Sequence, residues 1–180
     1  MFKLILSFIA IIILYVGSNE LVIVSGENSS VMNLEKLQDA TDFKLLAPSL
    51  DEYKLEIKEP YPFPLKSQVT KVRLHYFDKT GQTYLFGIEE HKAYDYTIKR
   101  EVTIIDMQNK SSKNRTIVED FKFDLSGEKI DLNEVEARYV PWANHKPGGY
   151  LRWIQDGTYL EMDSGNLSKE KMIELAKSFN

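Results

Sequence analysis

The hairpin between residues 150 and 162 constrains the fold more than any other feature of this sequence. Two alternating runs, 150–155 and 158–162, are joined by Asp156-Gly157, a preferred sequence for a two-residue β-turn. This turn predicts one antiparallel register, with an apolar face and a second face that carries an ion pair. The predicted cross-strand pairs are Leu151–Met162, Trp153–Leu160, Arg152–Glu161 and Ile154–Tyr159.

Seven further segments alternate like strands. They are Tyr53–Lys58, the pair 72–77 and 83–88, the pair 101–107 and 116–125 around a Gln108–Arg115 loop, Glu128–Leu132 and Val135–Val140. In the first pair, Asp78-Lys79-Thr80-Gly81 predicts a three-residue loop with Gly81 in a left-handed conformation. That loop sets Tyr76 opposite Tyr84, Leu74 opposite Phe86, and Val72 opposite Ile88. The predicted core aromatics are Tyr76, Tyr84, Phe86, Phe121, Phe123 and Trp153.

Two helices complete the predicted fold. Asn33 can cap a short helix through about Thr41, in which Leu34 and Leu37 share a face. Ser168 caps a C-terminal helix whose apolar stripe is Met172, Leu175, Ala176 and Phe179. The Pro60–Pro64 segment is expected to be an extended connector, since proline lacks the amide donor of a central strand. The expected class is α+β: a curved, mainly antiparallel sheet of about 6–9 strands, with the N-terminal and C-terminal helices packed on one face.

The N-terminal residues have the layout of a secretory signal. Lys3 precedes an uncharged apolar run from Leu4 to Val16, and small residues follow at Gly17 and Ser18. We therefore expect residues 1–18 to be a cleaved signal peptide, 19–32 a linker, and 33–180 a single domain. The alternative is an uncleaved anchor through residue 24, which would bury Glu20 in lipid. Both alternatives place the domain outside the cytoplasmic membrane, secreted or on its outer face, with membrane contact only through this segment.

The composition excludes several classes of function. The chain has no cysteine, so disulfides, thiol catalysis and thiolate metal sites are excluded. A net charge of −4 argues against nucleic acid as a partner. Glu89-Glu90-His91 could hold a divalent ion weakly, although a solvated strand end is the favoured interpretation. We find no phosphate loop, dinucleotide fingerprint or nucleophile elbow, and no catalytic, cofactor or metal site is predicted.

Most of residues 34–179 resemble a known family, specifically in the last thirty residues and diffusely before them. The residues that carry the likeness are 149–159 (Gly-Tyr-Leu-Arg-Trp-Ile-Gln-Asp-Gly-Thr-Tyr), 167–170 (Leu-Ser-Lys-Glu) and 176–179 (Ala-Lys-Ser-Phe). They are similar to an uncharacterised extracytoplasmic domain that ends many exported or membrane-anchored proteins of Gram-positive bacteria, some of them sigma-factor regulators. The resemblance implies a fold distantly similar to periplasmic lipoprotein carriers. It implies no catalytic residues. No part of this sequence is similar to the cytoplasmic zinc-binding segment of the regulatory members, so their role is not the one that we expect first.

Two inter-strand segments hold candidate contact residues. Tyr94 and Tyr96, and Trp142 and His145, are aromatic residues among polar neighbours, where loops can contact a glycan or a partner protein. The basic Gln108–Arg115 loop has two interpretations, contact with anionic envelope polymers or a solvated hairpin tip.

The expected function is noncatalytic: an exported domain that binds a protein partner or an amphiphilic cell-envelope ligand. The first alternative is an envelope hydrolase that uses dispersed carboxylates. The second is a membrane-tethered sensor or regulator of an envelope-stress or sigma-factor pathway.

Overall fold

The structure, a computed structural model, describes residues 34–48, 50–58, 68–143 and 147–179. The predicted leader, the linker, the Pro60–Pro64 connector and the cap residue Asn33 lie outside these residues. The elements are α1 (Leu34–Ala40), β1 (Lys54–Ile57), β2 (Lys71–Phe77), β3 (Tyr84–Lys92), β4 (Thr97–Asp106), β5 (Ser111–Asp120), β6 (Glu128–Leu132), β7 (Val135–Pro141), β8 (Gly149–Gln155), β9 (Thr158–Ser164) and α2 (Lys169–Ala176).

Seven strands form one open antiparallel sheet in the order β1-β2-β3-β9-β8-β7-β6. Among the described residues, the other two strands, β4 and β5, pair only with each other and make a separate two-stranded ribbon, which follows β3 and precedes β6 in the chain. The predicted α+β class with a short N-terminal helix and a C-terminal helix is therefore confirmed. Within the described residues, no helix has the length and apolar character needed to cross a membrane.

The β8–β9 hairpin has the predicted register. Trp153 faces Leu160 and Arg152 faces Glu161, and the other two predicted pairs are also present. Asp156 and Gly157 both have positive φ, 49° and 78°, which is the conformation that this turn type requires. The Arg152 Nε to Glu161 Oε2 distance is 2.7 Å, which confirms the predicted cross-strand ion pair.

One face of the sheet is covered by helical and irregular segments and forms the core. Alternate residues of β2 and β8 are buried, as the period of a strand requires. Trp153 lies at the centre, fully buried, with the Phe179 ring edge-on at a centroid distance of 5.4 Å. The predicted cap of α2 is confirmed, because Ser168 Oγ accepts a hydrogen bond from the Lys171 amide. Its predicted stripe is buried: Met172, Leu175, Ala176 and Phe179.

The predicted register of the β2–β3 hairpin was wrong by two residues. The observed pairs are Tyr76–Phe86, Leu74–Ile88 and Val72–Glu90. One residue of the shift comes from the turn, which closes between Asp78 and Thr83 and so has a four-residue loop, although Gly81 keeps its positive φ of 75°. The second comes from a bulge between Tyr76 and Phe77. Because side chains alternate with a period of two along a strand, a shift of two residues leaves each side chain on its predicted face, and Val72, Leu74 and Tyr76 remain on the core face.

The bulge changes the position of one predicted core aromatic. Beyond it, Tyr84 pairs with Phe77 and lies on the outer face, where its ring contacts His75 at 5.1 Å. Phe121 and Phe123 are half-buried on the same outer face, against Tyr159. Tyr76, Phe86 and Trp153 are fully buried as predicted.

Candidate functional site

An aromatic cluster joins the β4–β5 ribbon to the outer face of the sheet. We call it the aromatic joint: His91, Tyr96, Phe121 and Tyr159. The His91 ring stacks between those of Tyr96 and Tyr159, with centroid distances of 4.0 and 4.7 Å, and the Phe121 ring lies edge-on to it at 4.6 Å. Tyr96 immediately precedes β4 and Phe121 immediately follows β5, both at the base of the ribbon, and the Phe121 amide donates to the Tyr96 carbonyl. The base of the ribbon is therefore fixed by stacked rings.

The end of β3 is buried, so its interpretation as a solvated strand end was wrong. His91 is only 3% exposed, and burial lowers the pKa of its imidazole. Glu90 is fully buried on the opposite, core face. Its carboxylate accepts hydrogen bonds from the amides of Leu46 and Ala47, at 2.8 and 2.9 Å. Burial raises the pKa of Glu90 to about 7, while these two donors oppose the rise.

A groove of about 590 Å³ lies beside the aromatic joint. Its charged lining is largely paired: Lys92 contacts Asp42 at 3.1 Å, and Lys71 contacts Glu89 at the same distance. Tyr96 and Lys99 close the side toward the ribbon. Because these charges are already compensated, the groove is suited to a polar contact rather than to a strongly charged small ligand.

The ribbon itself leaves large apolar side chains in solvent. Alternation along its strands defines two faces, since successive side chains point in opposite directions. One face carries Ile98, Val102 and Ile104 on β4, which we call the aliphatic stripe, together with Ile117 on β5. The other face carries Ile105 and Val118, and Met107 follows in the turn. Their exposed fractions are 37% for Ile98, 38% for Val102, 53% for Ile104, 66% for Ile105, 83% for Met107 and 57% for Val118.

The predicted limits of this ribbon were wrong. The two strands were expected to begin at 101 and 116, four and five residues too late, and the second was expected to end at 125, five residues too far. The strands pair from Thr97–Asp120 to Asp106–Ser111, so the expected eight-residue loop is reduced to residues 107–110. The polar sequence Ser111–Arg115 belongs to β5 rather than to a loop. Backbone pairing is supported there by a hydrogen bond of 2.9 Å from Thr103 Oγ1 to Asn114 Oδ1.

A family model described as a domain of unknown function, DUF4367, matches residues 65–179. The chain belongs to the DUF4367 family. Comparison with curated proteins and with solved structures finds no match. The matched segment contains β2–β9 and α2, and hence both the ribbon and the aromatic joint. Helix α1, strand β1 and the Leu46-Ala47 backbone that Glu90 binds precede it.

The structure of this DUF4367 chain separates the predicted contact residues. Tyr94 is 65% exposed and borders a smaller groove of about 300 Å³ next to the first one, and Tyr96 belongs to the aromatic joint. Trp142 follows β7 at the other end of the sheet, where its ring packs against Tyr150 at 5.7 Å. His145 lies outside the described residues. The aliphatic stripe was missed as a site, although its alternation is visible in the sequence.

A second polar cluster of the DUF4367 sheet lies on the outer face. Asp163 on β9 binds the Arg73 guanidinium, and its other oxygen accepts from the Tyr84 hydroxyl at 3.3 Å. Burial lowers the pKa of the adjacent His75, and the charge of Arg73 adds to this effect. Every charged member has a partner within the cluster, so its role is to bind β2 to β9 across β3. Among the described residues, no three His, Asp or Glu side chains are grouped to hold a metal ion.

Gly87 makes room for this cluster and provides a test of it. A Cβ at this position would overlap the Arg73 guanidinium and lie 2.6 Å from the Tyr84 hydroxyl oxygen. We expect Gly87→Ala to lower the free energy of unfolding by about 1–2 kcal/mol, because the Arg73–Asp163–Tyr84 contacts must shift. Urea denaturation measures the loss. In a Tyr84→Phe background the loss should be smaller, since the hydroxyl is gone; an equal loss in both backgrounds would contradict this account.

Proposed function

We propose that this DUF4367 chain is a noncatalytic binding domain that works outside the cytoplasmic membrane and uses the β4–β5 ribbon as its contact element. The observation that carries the proposal is the exposure of the aliphatic stripe. Isolated two-stranded ribbons are marginally stable in water, and contiguous exposed apolar side chains mark interaction surfaces. A ribbon that is fixed at its base and whose apolar side chains are left 37–83% exposed by the described residues is therefore suited to be covered by a partner.

The filled core favours a surface contact over a ligand carried inside the sheet. A carrier needs an apolar cavity under its helices, typically of 300–1,000 Å³. Here the side chains of Leu151, Trp153, Leu160 and Phe179 occupy that space and are 0–2% exposed. An amphiphile that binds this domain would consequently contact its exterior.

The position of Glu90 supports the noncatalytic proposal. This carboxyl group has the raised pKa of a general acid, about 7, yet it is fully buried and both oxygens accept from backbone amides. A general acid must reach its substrate within hydrogen-bonding distance. Glu90 instead holds the Leu46–Ala47 segment against the sheet, which is a structural role.

The extracytoplasmic location rests on the N-terminal segment and on composition. Lys3 before the Leu4–Val16 run is typical of a secretory signal, and a chain without cysteine needs no disulfide in an oxidising compartment. Export with cleavage after Ser18 gives a mature protein that starts at Asn19. The mass of the intact mature protein tests this step.

Cysteine labelling tests location and coverage together, because the natural chain contains no thiol. Val102→Cys places one thiol on the aliphatic stripe, and Lys79→Cys is the control on the exposed β2–β3 turn. In intact cells, a membrane-impermeant maleimide should label the thiol at position 79 as fast as in the purified protein. The same reagent should label the thiol at position 102 at least roughly tenfold more slowly in cells, because a partner covers it.

Two results of this experiment would contradict the proposal. If neither thiol reacts until the cells are opened, the domain is not outside the membrane. If the thiol at position 102 reacts in intact cells as fast as in the purified protein, the ribbon is not a contact element.

A further inference from the structure

We propose that the ribbon tip, residues 104–115, inserts into the surface of a lipid bilayer that carries anionic headgroups. This inference rests on the proposed function and names the partner of the ribbon. The apolar side chains of the tip and its positive charges are each suited to contact with a membrane surface.

The apolar side chains become more exposed toward the tip and occupy both of its faces. On one face the exposed fraction rises from 37% at Ile98 to 53% at Ile104, and on the other from 57% at Val118 to 66% at Ile105, with 83% at Met107 in the turn. Ile104 and Ile105 point to opposite faces, and Met107 follows in the turn. A flat protein surface can cover only one face of a ribbon. A bilayer surrounds an inserted tip and covers both faces, as it does the apolar side of interfacial helices.

The charges of the tip are complementary to anionic headgroups. Residues 104–115 contain three cations, Lys110, Lys113 and Arg115, and a single acidic residue, Asp106, whereas the whole chain has a net charge of −4. All three cations are exposed. None of them takes part in the ion pairs between described side chains, which do not include that of Asp106. Basic residues next to an apolar membrane-inserting segment bind anionic lipids, each with an appreciable contribution to affinity.

The length of the ribbon keeps the acidic remainder of the domain away from such a surface. Each ribbon strand has ten residues, which span roughly 33 Å at about 3.3 Å per residue. This length is several times the Debye length of about 8 Å at physiological ionic strength. The aromatic joint fixes the base of the ribbon to the sheet. The tip can therefore contact an anionic surface while the acidic remainder of the domain stays too far away to be repelled by it.

A fluorophore at the tip tests the insertion in the full chain. Met107→Cys introduces a unique thiol for an environment-sensitive nitrobenzoxadiazole label, and Lys79→Cys is the matched control. With vesicles of phosphatidylglycerol and phosphatidylcholine, we expect the label at 107 to gain intensity, to shift to the blue and to be quenched by spin-labelled lipid. The label at 79 should remain as in water. Both proteins carry the same N-terminal segment, so the difference between the labels reports the tip alone.

Charge variants test the role of the cations. Replacing Lys110, Lys113 and Arg115 by glutamine should weaken the vesicle-dependent signal at position 107 about 100-fold. The control replaces Lys79, Lys122 and Lys177, three exposed cations away from the tip, and should retain the signal within about twofold. High salt should weaken the vesicle-dependent signal of the labelled Met107→Cys protein as much as the three glutamine substitutions do.

A label at position 107 that reports water in the presence of anionic vesicles would overturn the inference, as would equal insertion into phosphatidylcholine alone. Either result leaves the proposed function testable separately. If the thiol of the Val102→Cys variant is still protected in cells, the ribbon has a protein partner and only the membrane inference fails. If that thiol is also unprotected in cells, both proposals fail.

Discussion

Replacing Trp153 by alanine should lower the free energy of unfolding by about 3–5 kcal/mol, the largest single-residue effect that we expect. Trp153 is fully buried at the centre of the sheet, opposite Leu160 on β9 and Ala137 on β7. The Trp153 ring also packs edge-on against the ring of Phe179, which follows α2 in the chain. Alanine at position 153 leaves a cavity between β7, β9 and the ring of Phe179. A close-packed core fills such a cavity only in part. Urea denaturation followed by circular dichroism measures the loss.

The second tryptophan provides the matched control. Trp142 is half-buried and packs on Tyr150, so Trp142→Ala should cost about 1 kcal/mol or less. The chain has two tryptophans, so each variant keeps one as a fluorescent probe. Equal losses for the two variants would show that Trp153 is not the central core residue.

Stability near neutral pH should depend strongly on Glu90. The pKa of its carboxyl group is about 7 in the folded protein, against an ordinary value of 4.5. Between these values the folded state retains a proton that the unfolded state has lost, so this group makes the free energy of unfolding fall as the pH rises from 4.5 to 7. The expected contribution is about 3 kcal/mol. Below pH 4.5 this carboxyl group is protonated in both states, and above pH 7 it is ionised in both. Its contribution is therefore constant in these two ranges.

Comparison with Glu90→Gln isolates this contribution. Glutamine cannot titrate, but its NH₂ group faces one of the two backbone donors at Leu46 and Ala47, which costs about 1–3 kcal/mol at low pH. Over the range from pH 5 to 8, the wild-type advantage should therefore be largest at pH 5 and should shrink by about 2–3 kcal/mol by pH 8. His91, whose lowered pKa acts in the opposite sense, is present in both proteins and cancels in the difference. Parallel curves from pH 5 to 8 would refute the assignment to Glu90.

The elements that were predicted correctly are those that local chemistry specifies. Asp156-Gly157 has one favoured turn geometry, and this geometry alone aligns Trp153 with Leu160. The Ser168 hydroxyl accepts a hydrogen bond from an amide of the first turn of α2 that has no partner within the helix. The apolar stripe of this helix lies on a single face, so only that face can be buried. In these cases the interacting residues are close in sequence, so the pattern contains the information.

The elements that were missed depend on distant partners. The bulge at Tyr76 moves Tyr84 to the outer face, where Arg73 and Asp163 receive its hydroxyl group. Asp163 lies some eighty residues further along the chain, so neither Tyr84 nor its turn indicates this contact. The burial of His91 likewise requires Tyr96, Phe121 and Tyr159 to meet around it.

The candidate site was predicted only in part. Tyr94 and Tyr96 were chosen as loop aromatics, and the structure places one in solvent and the other in the aromatic joint. The alternation of Val102 and Ile104 in the predicted 101–107 strand indicates an apolar face, and such a face is normally covered by the core. Whether a sheet face is covered depends on which other elements pack against it, and no local pattern encodes that.

The amino-acid sequence by itself determined the antiparallel β8–β9 hairpin, the capped C-terminal helix and the α+β class, because turns, caps and periodicity act between neighbouring residues. Only the tertiary structure decided that Glu90 is buried, that Tyr84 faces outward and that the described residues leave the apolar side chains of the ribbon exposed. Each of these outcomes is a balance of desolvation and packing among segments far apart in the chain, and it exists only once those segments have met.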